Sequence, residues 1–321
     1  MIVSASPTII NQVVAHLREG KLAALPTETV YGLAADATNG EAVAEIFATK
    51  GRPHFNPLIA HVASMDMAAR YVEIDQISAK LMQEFWPGPL TLVLPLRKNN
   101  NIHPLATAGL PTLALRNPKG IFADIVQALD RPIVAPSANR SGRISPTSAI
   151  AVENDFQGGL PLIVDAGACE VGVESTIIKV DGDDVYLLRP GGLEREAIEA
   201  IIKRPLKQLD HGAAIEAPGM MKSHYAPNAT MRLNVDEVIE GEALLHFGDT
   251  AIKGQAKAKA ILNLSESGNL KEAAVHLFDY MQRLDLVGAS SIAVAPIPLI
   301  SLGEAINDRL NRAAAPKVKV I

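Results

Sequence analysis

Lys50, Arg52, His54, Asn56 and His61 fall within one stretch, Lys50-Gly-Arg-Pro-His-Phe-Asn-Pro-Leu-Ile-Ala-His61, and no carboxylate occurs between Glu45 and Asp66. Cations without acids to neutralise them, on a chain that cannot wander, make a fixed anion site. Gly51, Pro53 and Pro57 break any helix here. The plainer reading is a basic loop that is merely solvated. Similar chemistry recurs along the chain. Thr27, Thr29 and Tyr31 place hydroxyls around Glu28 in a polar turn, where ligand contacts and ordinary threonine–backbone turn bonds are both open. Arg116 ends a predicted strand, from which its planar fork can meet a carboxylate or phosphate, unless it only ends the strand at the surface.

Residues 136–147 offer Ser137, Asn139, Arg140, Ser141, Arg143, Ser145 and Thr147 in one acid-free run. A helix start is predicted at Ser145-Pro146, whose free N–H groups would favour an anion. Simple capping by Ser145 is the alternative. Glu174, Ser175 and Thr176 lie on a predicted strand over 173–180. Adjacent strand residues face opposite ways, so Ser175 and Thr176 are not expected in the same site. Arg189 opens the turn that closes a strand over 183–188.

The elements that must position these groups alternate. Helices are predicted over 8–19, 41–49 (with Val43, Ile46 and Phe47 on one face) and 193–203. Ser64 and Asp75 are the expected caps of two more, and Pro118 the first turn of another running to about 129. Strands are predicted over 21–25, 57–62, 90–96, 111–115, 132–135 and 162–164. From 205 to 229 the periodicity lapses for longer than an ordinary loop of about 12–15 residues. That stretch carries Ser223-His-Tyr-Ala-Pro227. A second unit follows, with strands over 230–235, 243–247, 260–264 and 291–295 and helices over 270–286 and 302–314. Its pattern suggests a small parallel sheet. Few polar residues cluster there, which points to support or lid duty.

Composition narrows the function. At 321 residues, 48% hydrophobic and 20% charged, the chain suits a two-domain α/β protein. Its single cysteine, Cys169, excludes an internal disulfide and a cysteine-based zinc site, and fits a reducing cytoplasm. A net charge of −5 argues against a general nucleic-acid coat. Yet no carboxylate occurs between Glu84 and Asp124, where Arg97, Lys98, Arg116 and Lys119 stand. Such a distribution suits a small polyanion in a cleft. No signal peptide or membrane span is expected. P-loop, Gly-x-Gly-x-x-Gly, Gly-x-Ser-x-Gly and His-Glu-x-x-His signatures are all absent, which leaves a non-P-loop phosphate cleft.

The set of stretches resembles the threonylcarbamoyl-adenylate synthases, the YrdC-like family that begins threonylcarbamoyladenosine modification of tRNA. The matching residues are Pro26-Thr-Glu-Thr-Val-Tyr-Gly-Leu33, Lys50-Gly-Arg-Pro53 with Asn56-Pro-Leu58, Pro136-Ser-Ala-Asn139 with Ser141-Gly142 and Ser145-Pro-Thr147, Glu174-Ser-Thr-Ile177, and Arg189-Pro-Gly191. Ser223-His-Tyr-Ala-Pro227 and the second unit resemble the long, two-domain form. The resemblance implies a twisted open mixed sheet with flanking helices over 1–205, a linker over 206–229 reaching back to the active site, and a smaller C-terminal Rossmann-like α/β domain over 230–321.

It also implies a reaction, in which L-threonine, bicarbonate or CO2, and ATP give threonylcarbamoyl-AMP and pyrophosphate, in the cytoplasm. By resemblance Lys50 and Arg52 grip the triphosphate, with Asn56, Thr112, Asn139, Ser145 and Thr147 also on the nucleotide and Arg189 and Tyr225 on its far side. Thr29, His61, Arg116, Ser137 and Ser175 hold threonine, with Thr176 in reserve should the strand face the other way. Mg2+ is expected with ATP, Glu28 and Glu174 being weak candidates for contact, and no tightly bound organic cofactor. The product passes to a downstream tRNA threonylcarbamoyltransferase complex. Weak RNA binding is a further expectation; the rival readings are an RNA-binding protein with a concave basic face and a carbamoyl-adenylate enzyme with another acceptor.

Overall fold

Short runs of Ala, Val, Ile and Leu between polar turns become strands, and the longer amphipathic segments become helices packed on them. The computed structural model describes residues 1–208, 217–218 and 224–316. Numbered in chain order, the strands of the first sheet lie side by side as Ile2–Ser4 (β1), Ile163–Asp165 (β8), Ala23–Leu25 (β2), Gly32–Asp36 (β3), Ile133–Val134 (β7), Ile59–His61 (β4), Thr112–Arg116 (β6), Leu90–Pro95 (β5), Thr176–Asp181 (β9), Asp184–Arg189 (β10) and Lys207–Gln208 (β11). The sheet is mixed: β4 pairs with β6 and β5 with β9 in parallel, whereas β7 runs antiparallel to β3 and β4, and β5 to β6. The second sheet orders as Thr230–Arg232 (β12), Ser291–Val294 (β15), Ala243–His246 (β13) and Ile261–Asn263 (β14), all parallel. The α/β architecture with a large mixed sheet and a smaller second one is as the sequence led us to expect.

Capping explains several helix starts. The Ser64 side chain accepts from Met67 N, that of Asp75 from Ser78 N and that of Asn39 from Ala42 N. Two expected starts are displaced. Pro118 opens no helix: Glu28 Oε2 accepts from Lys119 N at 3.1 Å, drawing that residue into the turn, and the helix is Ile121–Leu129. Ser145 caps nothing, because its hydroxyl donates to Glu174; Ser148 caps the helix Ala149–Phe156 instead. No helix N-terminus therefore faces an anion at 145–146. The turn expected over 26–33 already enters a strand at Gly32, and β9 begins only at Thr176.

One apolar core lies between the first sheet and its helices. A second is built on the helix Leu270–Asp285, which buries Ala273, Ala274, Leu277, Phe278, Met281 and Leu284. That second core also takes in Val30, Ile144, Val173 and Tyr225. The apolar interior of the C-terminal unit thus ends against the loops that carry the polar motifs. The first sheet runs on to Gln208, inside the stretch read as linker; residues 209–216 and 219–223 of that stretch lie outside the described residues.

Candidate active site: a cationic cleft at the strand ends

Parallel pairing sets His61 beside Arg116 at the ends of β4 and β6, and antiparallel pairing sets Thr91 of β5 on the other side of Arg116. Thr91 Oγ1 is 2.8 Å from Ser175 Oγ, which brings in the residue preceding β9. Arg116 is buried. Its Nη1 donates to Thr29 Oγ1 at 2.8 Å, its Nε to Gly88 O at 3.2 Å, and its Nη2 is 2.7 Å from Glu28 Oε2. Its fork is therefore held by Glu28, which the sequence offered only as a weak metal contact. Burial, with the charge of Arg116 adding to it, pushes the His61 imidazole down to about 3, so the ring is neutral.

Lys50 is in the last turn of the helix Gly40–Lys50, and its Nζ donates to Ser137 O at 2.6 Å and to Asn139 O. It ties down the 136–142 loop from behind. Arg52 donates from Nε to Asn56 O at 3.2 Å and from Nη2 to Pro57 O at 2.8 Å. Burial lowers both cations, Arg52 to about 9, and the Arg52 charge lowers Lys50 further. Arg189 reaches Ser175 O at 2.8 Å and Ser175 Oγ at 3.2 Å through Nη2, and Pro218 O at 3.3 Å through Nη1. Two motif loops are also stitched together, Tyr31 N donating to Pro146 O and Ala138 N to Tyr31 O.

The result is a narrow cavity of about 50 Å³ walled by Thr29, Arg52, His61, Arg116, Ser137, Glu174, Ser175 and Arg189, with Pro218, His224 and Tyr225 across it. Roomier hollows of about 320 Å³ lie elsewhere, but neither gathers the buried cations. Eight of the expected site residues meet here: Thr29, Arg52, His61, Arg116, Ser137, Ser175, Arg189 and Tyr225. Asn56, Asn139 and Thr147 are buried but do not wall the cavity, and Ser145 is turned onto Glu174. Thr176 points away, its hydroxyl donating to Leu193 O at 2.5 Å. Thr112 is at the opposite end of β6 from Arg116, roughly 13 Å along the strand. Sequence reasoning passed over Thr91 and Arg309. A lone hydroxyl in the apolar run Leu-Thr-Leu-Val-Leu was the available signal for Thr91; Arg309 had none.

The carboxylates near the cleft do not suit a protein-held Mg2+. Glu28 is bound to Arg116 and to Lys119 N, and Glu174 to Arg309 and Ser145. Among the described residues no group of three or more potential ligands comes together. Cys169 is buried, and burial first of all raises its thiol to about 12, in keeping with a structural role.

The Sua5/YciO/YrdC family model, described as "Telomere recombination", matches residues 15–191. This chain belongs to that family. A second model, "Threonylcarbamoyl-AMP synthase, C-terminal domain", matches 193–315. Among Sua5-type relatives, the threonylcarbamoyl-AMP synthase of Pyrococcus abyssi is 39% identical over 94% of this chain and 93% of its own length. That of Bacillus subtilis is 38% identical over 96% and 94%. The crystal structure of P. abyssi Sua5 complexed with L-threonine superposes with a TM-score of 0.88 at 35% identity, covering 98% of this chain and 97% of that one. E. coli YciO, at 20% identity and a TM-score of 0.53, shares the fold over 60% of this chain.

Proposed function

We infer that the chain is an enzyme that joins L-threonine, bicarbonate or CO2, and ATP into threonylcarbamoyl-AMP, releasing pyrophosphate, for threonylcarbamoyladenosine formation at position 37 of tRNA. The observation that carries the reading is the convergence of Arg52, Arg116 and Arg189 on one buried cleft with Thr29, His61, Ser137 and Ser175. A carbamate oxygen attacks the α-phosphorus, forming the new O–P bond as the bond to the pyrophosphate oxygen breaks. Each pair of like charges about 4 Å apart costs roughly 4 kcal/mol at an effective dielectric of 20. Guanidinium groups fixed in a dry site offset that cost without reorganising. Arg52 and Arg189 attend the phosphates, Lys50 fixes the 136–142 loop behind them, and Arg116, Thr29, His61, Ser137 and Ser175 hold threonine. In-line displacement needs positioning and charge neutralisation, and no protein nucleophile is invoked. Mg2+ would enter with the triphosphate, held by its oxygens.

Pro218, His224 and Tyr225 across the cleft support a linker that folds back and closes it. A downstream tRNA threonylcarbamoyltransferase complex takes up the product. Among the described residues no helix is long and apolar enough to cross a membrane, in keeping with action in the cytoplasm.

The deciding experiment measures pyrophosphate release with ATP, bicarbonate and threonine in the absence of RNA. Release that needs all three supports the reading, and valine should replace threonine poorly, whereas serine, which lacks only a methyl worth about 1–3 kcal/mol, should be accepted in part. Release only in the presence of RNA, or equal rates with valine, would overturn it.

A further inference from the structure

Among the described residues the largest wholly buried side chain is Arg309, and it belongs to the second unit, in the helix Leu302–Ala314. Its Nε donates to Glu174 Oε2 at 2.8 Å, and its Nη1 donates to Pro190 O at 2.8 Å and to Asp308 Oδ2 at 2.7 Å. Its guanidinium carbon lies over the Tyr225 ring, 5.4 Å from the centroid. Glu174, which walls the cleft, passes the contact on: its other oxygen accepts the Ser145 hydroxyl at 2.6 Å. The same helix is fastened once more to the first unit, by Arg195 paired with Glu304 at 2.5 Å, and once to the linker, by Arg312 O accepting from His224 N at 3.2 Å.

We propose that Arg309 is a positioning residue of the cleft, orienting Glu174, the Ser145 hydroxyl and the Tyr225 ring, so that the first unit's site is complete only with a side chain lent by the C-terminal unit. The proposal rests on the reading of the cleft as the adenylate-forming site. A carboxylate on the wall of a polyanion site is unfavourable unless a cation is spent on it. Arg189 and Arg52 are needed for the ligand, and Arg309 supplies the charge from outside. Burial alone would raise the Glu174 carboxyl, yet Arg309 and Arg189 outweigh it and hold the group at about 2. The carboxylate therefore stays an acceptor that fixes the Ser145 hydroxyl. Arg309 itself does not line the cavity but contacts Glu174 and Tyr225, which do, so its effect must travel through these neighbours.

The test uses the full chain with Arg309→Met, Arg309→Lys, Glu174→Gln, Ser145→Ala and the Glu174→Gln/Arg309→Met double variant. For each, kcat, the KM for ATP and for threonine, and the melting temperature are measured. Arg309→Met should cut kcat/KM on the order of tenfold to a hundredfold per folded molecule, as for other groups that orient a site residue. Arg309→Lys should recover part of the loss. The double variant should be no worse than the poorer single one, because residues acting as a unit are not additive. Ser145→Ala keeps both charges and tests the end of the chain of contacts even if Arg309→Met does not fold; it should lower kcat/KM for ATP. A lowered melting temperature with unchanged kcat and KM in the Arg309, Glu174 and Ser145 variants, or strictly additive losses, would overturn the proposal. If the unaltered chain makes no product, the functional reading falls and takes this one with it.

Discussion

Charge at Arg116 is less important than shape. Its three nitrogens meet Gly88 O, Thr29 Oγ1 and Glu28 Oε2, an arrangement a lysine cannot reproduce. Arg116→Lys should therefore keep the pairing with Glu28 but lose the fork. Losing one hydrogen bond to a charged group costs about 1.5–3 kcal/mol, so kcat/KM for threonine should fall by roughly tenfold to a hundredfold. The KM for ATP should stay within about twofold if the fork serves threonine; equal losses for both substrates would reassign the residue. A second prediction concerns the two cleft imidazoles. Burial holds His61 and His224 near 3, with Arg116 adding to it for His61, and Arg52 and Lys50 opposing the pull of Glu174 at His224. Their ordinary value is 6.5, so between about 6.5 and 3 the unfolded chain binds protons that the folded chain refuses. Stability is then whole above pH 6.5 and is lost as pH falls through that window. Glu174 contributes its own acid loss only between about 4.5 and 2. Melting temperature should thus already decline between pH 6.5 and 4.5, and His61→Gln should flatten the slope. A profile identical to that of the unaltered chain would show that His61 titrates normally.

At the scale of elements, the cleft depends on how closely the turn after β10 approaches the residues before β9. A Cβ on Gly191 would lie 2.4 Å from Glu174 O, Ser175 C and Thr176 N, all backbone atoms. Gly191→Ala must push Ser175 away from Thr91 and Arg189, so activity should fall further than stability. Overpacking of this kind costs about 1–3 kcal/mol. Gly182→Ala, in the β9–β10 turn with open space around it, serves as the control. Its left-handed φ of +59° costs on the order of 1 kcal/mol and should leave kcat unchanged. If the two variants lose activity alike, the close approach is not what shapes the site. This packing also shows what the sequence can and cannot disclose. The run from Lys50 to His61 was legible because its cations and helix breakers are neighbours in the chain, and the strand ending at Arg116 because its apolar run is unbroken. Ser145 and Ser148 are equally good local caps, and only Glu174, far along the chain, decides between them. The expected helix start at Pro118 failed for the same reason, a carboxylate from residue 28 taking Lys119 N. Pairs such as Arg309 with Glu174, 135 residues apart, leave no trace in spacing.

For the whole molecule, the question is whether the first unit works alone. Val30, Ile144 and Val173 belong to the first unit in sequence but are buried in the second unit's core, next to Tyr225 and Phe278. Removing residues from 206 onward would expose them, at about 1.5–3 kcal/mol for each side chain of this size returned to water. It would also leave Glu174 facing the cleft without Arg309, and open the far wall formed by Pro218, His224 and Tyr225. Stability and catalysis should part company here. The first sheet keeps its own core, so the shortened chain should still fold, melting lower than the full chain. Its synthesis of threonylcarbamoyl-AMP should nevertheless fall by far more than the folded fraction does, since water would enter the space in which the guanidinium charges act. Circular dichroism on the shortened chain separates the two effects from pyrophosphate release measured on the same sample. A folded product of the truncation that releases pyrophosphate at the full rate would mean that the linker and the C-terminal helix only decorate a site already complete without them.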